Sequence, residues 1–145
     1  MINEEDFVTA ATDDIVISAC TVELGEDEKD RDNAGKFVYG YYLCIENNSS
    51  EKIQLVGKHW NITDGKGNRF CDDSLGFKGE IPILEPGEYY EFTSVAPLNT
   101  PSGVFYGSCR VLKDGKNVTE DVKIPTFMLG GRRSSKSLKV SMALN

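Results

Sequence analysis

No apolar run in this chain is long enough to cross a bilayer as a helix, which excludes that form of membrane insertion. The opening MINEEDFVTA carries acids where a secretion leader needs cations and an apolar centre. No export is expected, and a cytoplasmic location follows. Imidazoles are scarce too: His59 is the single histidine. The four cysteines (Cys20, Cys44, Cys71, Cys109) are widely spaced and form no C-x-x-C pair. A zinc site, and a metal site in general, is therefore not expected. Nor is there a broad basic surface, so nucleic acid is not an expected partner. Sustained 3.6-residue periodicity is also missing, which argues against a helical fold.

What is present is ordinary for a globular chain: 145 residues, 39% hydrophobic and 27% charged, enough for one domain with a real core. The net charge of −7 is unevenly placed. Residues 1–32 carry eleven acids against Lys29 and Arg31, while residues 130–145 carry Arg132, Arg133, Lys136 and Lys139 without an acid. Sequons begin at Asn47, Asn48, Asn61 and Asn117, and without a leader they read as polar turns. The division expected is a flexible N-terminus (1–13), a β-sandwich domain (14–129) and a basic C-terminal tail (130–145).

Strands announce themselves by alternation. Ile15, Ile17 and Ala19 share one face of IVISACTVEL, with Val16, Ser18, Cys20 and Val22 on the other. GEDEKDRDNAG then predicts an exposed connection. FVYGYYLCIEN is apolar or aromatic on both faces and predicts a central strand. In IQLVGKHWNIT the apolar phase shifts at Gly57, which predicts a bulge. Asp64-Gly65-Lys66-Gly67 and Lys113-Asp114-Gly115-Lys116 predict hairpins. The remaining strand-like runs are Asn68 to Cys71, Tyr89 to Val95, Val104 to Leu112 and Val118 to Leu129. Pro125 confines the last of these to an edge or a bulge. The tail is left open between a strand or helix at Leu138 to Leu144 and disorder. About seven to eight short strands with turn clusters between them read as an all-β, immunoglobulin- or fibronectin type III-like antiparallel sandwich. Without a cysteine pair of immunoglobulin spacing the fibronectin-like version is preferred, and a closed barrel is the competitor.

The strings FVYGYYLCIENNSSEKIQL, HWNITDGKGN, GFKGEIPILEPGEYYEFTS, LNTPSG and IPTFML resemble the ApaG family, from about Asp14 to Leu129. The resemblance implies a fibronectin type III-like sandwich. It also implies bacterial single-domain relatives linked to cobalt resistance and magnesium efflux. Similar domains are fused to an F-box protein and to a polymerase-delta-interacting protein, where they are thought to bind proteins. Many bacterial members carry G-x-G-x-x-G before the E-x-P-x-L segment; here Ser74 stands at the first glycine.

Four groups of residues are candidates for a site. Ser74, Gly76, Lys78 and Gly79 form a glycine-rich loop of the kind that cradles phosphate through backbone N–H groups. Asp72 and Asp73 upstream and Pro82 downstream count against an anion, and a loop needing glycine dihedrals is preferred. His59 beside Trp60 has no partner visible in the sequence and reads as structural. A divalent cation on Asp72, Asp73 and Glu80 is the hard-ligand alternative, with a solvated acid cluster preferred. The loop Ala96–Gly103, with Asn99, Thr100 and Ser102 fixed by Pro97 and Pro101, reads equally as a recognition surface or a rigid sandwich corner. Adjacent tyrosines (Tyr41-Tyr42, Tyr89-Tyr90) must point to opposite faces of their strands, and an outward member is the candidate for an interaction patch, with Tyr90 named for the second pair. Core packing is preferred for most of these rings.

No catalytic constellation is visible, and no cofactor is expected. The reading is a non-enzymatic binding module for a protein partner. A phosphate- or divalent-cation-binding protein and a structural homodimer are the alternatives.

Overall fold

The structure, a computed structural model, describes residues 7–23, 37–130 and 138–139. Ten strands follow in chain order: β1 (Val8–Thr12), β2 (Ile15–Glu23), β3 (Phe37–Asn47), β4 (Ile53–Asp64), β5 (Arg69–Asp72), β6 (Ile83–Leu84), β7 (Tyr89–Leu98), β8 (Ser102–Lys113), β9 (Glu120–Gly130) and β10 (Leu138–Lys139). They form two sheets, β1-β2-β3-β7 and β5-β4-β8-β9. β6 pairs with β4, and β10 pairs with β2 in parallel. Every other pairing is antiparallel. No helix occurs among the described residues. This is the expected sandwich, with two short strands added to the expected number.

Period-two spacing built the core. Ile15, Ile17 and Ala19 of β2, Tyr41, Leu43 and Ile45 of β3, and Phe92, Ala96 and Leu98 of β7 face inward and are buried. Ile53, Leu55 and Trp60 of β4, Phe105, Cys109 and Val111 of β8, and four residues of β9 close on them. Aromatic rings hold the centre: Trp60 lies 5.5 Å from Phe92 and from Phe105, and Tyr41 lies 4.7 Å from Phe105. β3 is internal, as its two apolar faces require. Its outer face makes a second, smaller cluster, where Tyr42 and β2's Cys20 and Val22 are covered by Phe7.

The irregularities fall where the sequence marks them. The β4–β8 register shifts between Leu55 and Gly57. The β8–β9 register shifts between Phe105 and Gly107, opposite Pro125, and β9 is also an edge strand. Both D-G hairpins form. Asp64 closes the first one, accepting from the N–H groups of Lys66 and Asn68 at 2.9 Å each. Burial alone would raise its pKa; those bonds and the Lys66 charge win and lower it.

Two expectations change. Residues 8–12, inside the stretch read as flexible, form β1. A turn at Asp13-Asp14 folds it onto β2, and Thr12 Oγ1 accepts from Lys123 N of β9 at 3.1 Å. Its Thr and Ala side chains give too weak an alternation to signal a strand. β7 runs to Leu98, past Pro97, because an edge strand tolerates a missing N–H. The connection Gly25–Gly35 and most of the tail lie outside the described residues.

Candidate functional site

The 72–90 segment is built on β4 and on one buried side chain of β3. Asn47 is fully buried, and its Nδ2 donates to Leu84 O at 3.0 Å and to Glu51 O at 2.8 Å. Its backbone accepts from Gly87 N and donates to Glu88 O. The turn Glu85-Pro86-Gly87-Glu88 is thereby fixed, with Gly87 at φ 89 as a Pro-Gly turn requires.

The Ser74–Gly79 loop is a tied hairpin. Phe77 and Glu80 exchange backbone hydrogen bonds of 2.7 and 3.1 Å across Lys78 and Gly79, which have φ values of 51 and 85. That is a primed two-residue turn. Gly76 N donates to Val56 O at 2.7 Å, and Ser74 N donates to Asp72 Oδ1 at 3.0 Å. The N–H groups of Ser74, Gly76 and Phe77 that a phosphate cradle would need are therefore already bonded to protein acceptors. Lys78 Nζ donates to Thr93 O at 2.6 Å and lies 5.3 Å from the Phe92 ring. These bonds fit the loop reading preferred from the sequence.

Phe77, fully buried, is the plug of this loop. Its ring packs 5.6–5.9 Å from Phe92, Tyr90 and Trp60. Beneath it lies a residue that sequence reasoning passed over. Lys58 is 6% exposed, donates to Gly76 O, and sits 4.9 Å from the Phe77 ring and 5.6 Å from Trp60. A lysine next to a bulge glycine reads as surface in sequence. The phase shift at Gly57 is what turns it inward.

The acids do not converge. Asp73 Oδ1 contacts His59 Nδ1 on the outer face, which supplies the partner the histidine lacked in sequence. Asp72 accepts from Ser74 Oγ at 2.6 Å, and Glu80 accepts from Tyr90 OH at 3.2 Å. Burial, with the Glu80 bond and charge, pushes the Tyr90 phenol up to about 12. Among the described residues no three His, Cys, Asp or Glu side chains gather as a metal set.

The second loop shrinks to Asn99–Pro101, since β8 begins at Ser102. Thr100 is buried, accepts from Gly65 N and donates to Ser102 O, both at 2.8 Å. Tyr39 OH donates to Pro101 O. The corner reading fits these ties; Asn99 and Pro101 are exposed. Thus Ser74, Gly76, Lys78, Gly79 and Tyr90 share one neighbourhood. Asn99, Thr100 and Ser102 belong to another, against the Asp64–Gly67 hairpin.

Two recesses went unread in sequence. The first is an open groove of about 800 Å³ between Glu80–Leu84 and Gly87–Tyr90. Exposed apolar side chains line it: Ile81 at 48%, Ile83 at 55% and Tyr89 at 61%. The isolated I-P-I-L string, outside any alternating run, is the signal that would have found it. The second is a cavity of about 340 Å³ at the open seam between β5 and β7, with Tyr41, Trp60 and Phe105 among its walls.

Comparison with known proteins agrees with this architecture. The ApaG domain family matches residues 27–113. The chain is similar to Protein ApaG of Beijerinckia indica, 40% identical over 81% of this chain and 88% of that one. It is similar to Protein ApaG of Mesorhizobium japonicum at 38% over 75% and 85%. A Bordetella pertussis crystal structure described as ApaA superposes with a TM-score of 0.72 at 31% identity, covering 83% of this chain and 95% of that one.

Proposed function

The chain belongs to the ApaG domain family, and from that premise we propose that it is a non-enzymatic module that binds another protein through the apolar groove at residues 80–90. The observation that carries this is the row of exposed Ile81, Ile83 and Tyr89 side chains on a segment that Asn47 and the Pro-Gly turn hold rigid. Exposed apolar side chains gathered on a fixed surface mark an interaction site, and preorganisation lowers the entropic cost of binding. Glu80 and Glu88 line the same groove and would set the partner's charge. The link of similar proteins to cobalt resistance and magnesium efflux is assigned to such a partner. The dispersal of Asp72, Asp73 and Glu80 supports that choice over ions held by this chain.

The test is paired affinity capture with the full chain and its Ile81→Ser/Ile83→Ser variant, quantified by mass spectrometry and followed by titration of the purified partner. The partner is expected to bind the wild-type chain and to lose about 2–3 kcal/mol, roughly 30- to 150-fold, with the variant. Equal binding to both proteins would remove the groove as the site. If light scattering shows a dimer that the variant abolishes, the partner is a second copy.

A further inference from the structure

We propose that the open seam between β5 and β7 is a second binding site, distinct from the groove, that receives an extended peptide carrying an apolar side chain and, two residues along on the same face, a lysine or arginine. Three observations on different groups converge there. The first is the cavity of about 340 Å³, within the range of preformed ligand sites. Its walls include Tyr41, Trp60, Ile62 and Phe105, all from the interior of the sandwich. Between packed sheets such space is normally filled by interdigitating side chains. Here β5 is only four residues long and brings few side chains inward. Phe70 pairs with Ile62, on the face that looks across the sandwich, and is still 44% exposed.

The second observation is the state of the neighbouring edge. β7 ends its sheet, with β3 on one side only. Lys78 Nζ bonds Thr93 O, so the Thr93 carbonyl faces away from β3. Outward peptide groups recur at every second residue of an antiparallel strand. Val95 and Pro97 therefore face outward too. Lys78 occupies the rung at 93, and Pro97 has no N–H to offer. The rung at Val95 remains, at the mouth of the cavity, where Val95 is 44% exposed. Strand addition there is short: one main-chain rung and one side-chain pocket. This limits the ligand to a short extended segment.

The third observation is charge. Asp72 lines the cavity and is exposed. Burial favours its neutral form, but two hydrogen bonds from Ser74 and the Lys58 charge hold its pKa below the usual value. Asp72 pairs with Trp60 and stands on the face turned to the seam. In an extended segment the next side chain on the anchor's own face is two residues along, so a cation at that position is favoured. The net charge of −7 favours approach of the same kind of segment.

Trp60 is the only tryptophan and forms part of the wall, so its emission reports occupancy. The full chain is titrated with blocked hexapeptides carrying Phe-Thr-Arg, Leu-Thr-Lys or Ile-Thr-Arg (TFTRVT, TLTKVT, TITRVT). Counterparts carry Glu for the cation or Ala for the anchor. At least one cationic peptide is expected to saturate the emission change, with its Glu and Ala counterparts at least tenfold weaker, a difference of about 1.4 kcal/mol. Asp72→Asn, with an unchanged unfolding midpoint, should still bind but lose the preference for Arg over Glu. No saturable change below about 1 mM for any of the three peptides overturns the proposal. So does a preference that survives Asp72→Asn, binding of free indole as tight as the peptide, or an emission that tracks protein concentration alone. The Ile81→Ser/Ile83→Ser variant should bind these peptides normally, so failure here and failure of the groove are told apart.

Discussion

Gly107 is where one residue carries the most geometric constraint. Its φ is 137, and a Cβ placed there would lie 2.1 Å from His59 O and 3.1 Å from Trp60 Cα. Both obstacles are backbone of the adjacent strand, which cannot rotate aside. Gly107→Ala is expected to cost about 2–4 kcal/mol, read from urea unfolding midpoints at constant slope. The thiols divide as sharply. Cys20 and Cys109 are buried, Cys44 is half-buried and Cys71 is exposed. With a thiol reagent in native buffer one fast-reacting equivalent is expected from the described strands, and Cys71→Ser should remove it. Reaction of Cys109 at the same rate would contradict the core packing described above.

At the scale of elements, the 72–80 hairpin depends on the Phe77 plug and on Lys58 below it. Phe77→Ala should destabilise by about 3–5 kcal/mol, the range for emptying a buried aromatic site. Removing Lys58 tests a different property. Its buried ammonium has three aromatic rings within 6 Å and one carbonyl acceptor, Gly76 O. Lys58→Met keeps the length and removes the charge, and it is expected to change stability by less than about 1.5 kcal/mol. Lys58→Ala opens a void under Phe77 and should cost more. Thermal unfolding of the two side by side separates packing from charge. The hairpin also shows what sequence conveys at this scale. Gly79 at the second position of a primed turn is readable, because few residues accept that φ. The inward swing of Lys58 is not, because it follows from a bulge whose size is set by β8.

For the whole molecule, the buried thiols and phenols predict the response to base. Burial pushes Cys109 up to about 12, against the opposing effects of the Trp60 indole and the Lys58 charge. Burial likewise raises Cys44 to about 11 and Tyr41 to about 12. In each case the folded state holds its proton at a pH where the unfolded chain has released it. The stability they contribute is therefore complete below about pH 9 and is lost as pH rises from there towards 12. Each group adds a slope of roughly 1.4 kcal/mol per pH unit at most. Cys109→Ala should make the decline shallower between pH 9 and 10, measured by urea unfolding across that window. An unchanged slope would show that the thiol is not shielded as the fold places it.

Sequence alone indicated the sandwich, the shared apolar face of Ile15, Ile17 and Ala19, both D-G hairpins, the bulge at Gly57, the edge or bulge at Pro125, and the family resemblance. These are local matters: period-two burial, turn dihedrals and the missing proline N–H act within a few residues. Tertiary structure decided the rest. It gave His59 to Asp73, Lys78 to Thr93 and Thr100 to the Asp64–Gly67 hairpin. It also left Ile81, Ile83, Phe70 and Val95 exposed beside two recesses. Whether a polar group is free or an apolar one is covered depends on which strands lie opposite. Pairings such as β3 with β7 join residues tens of positions apart, and no local pattern in the chain encodes what they bring together.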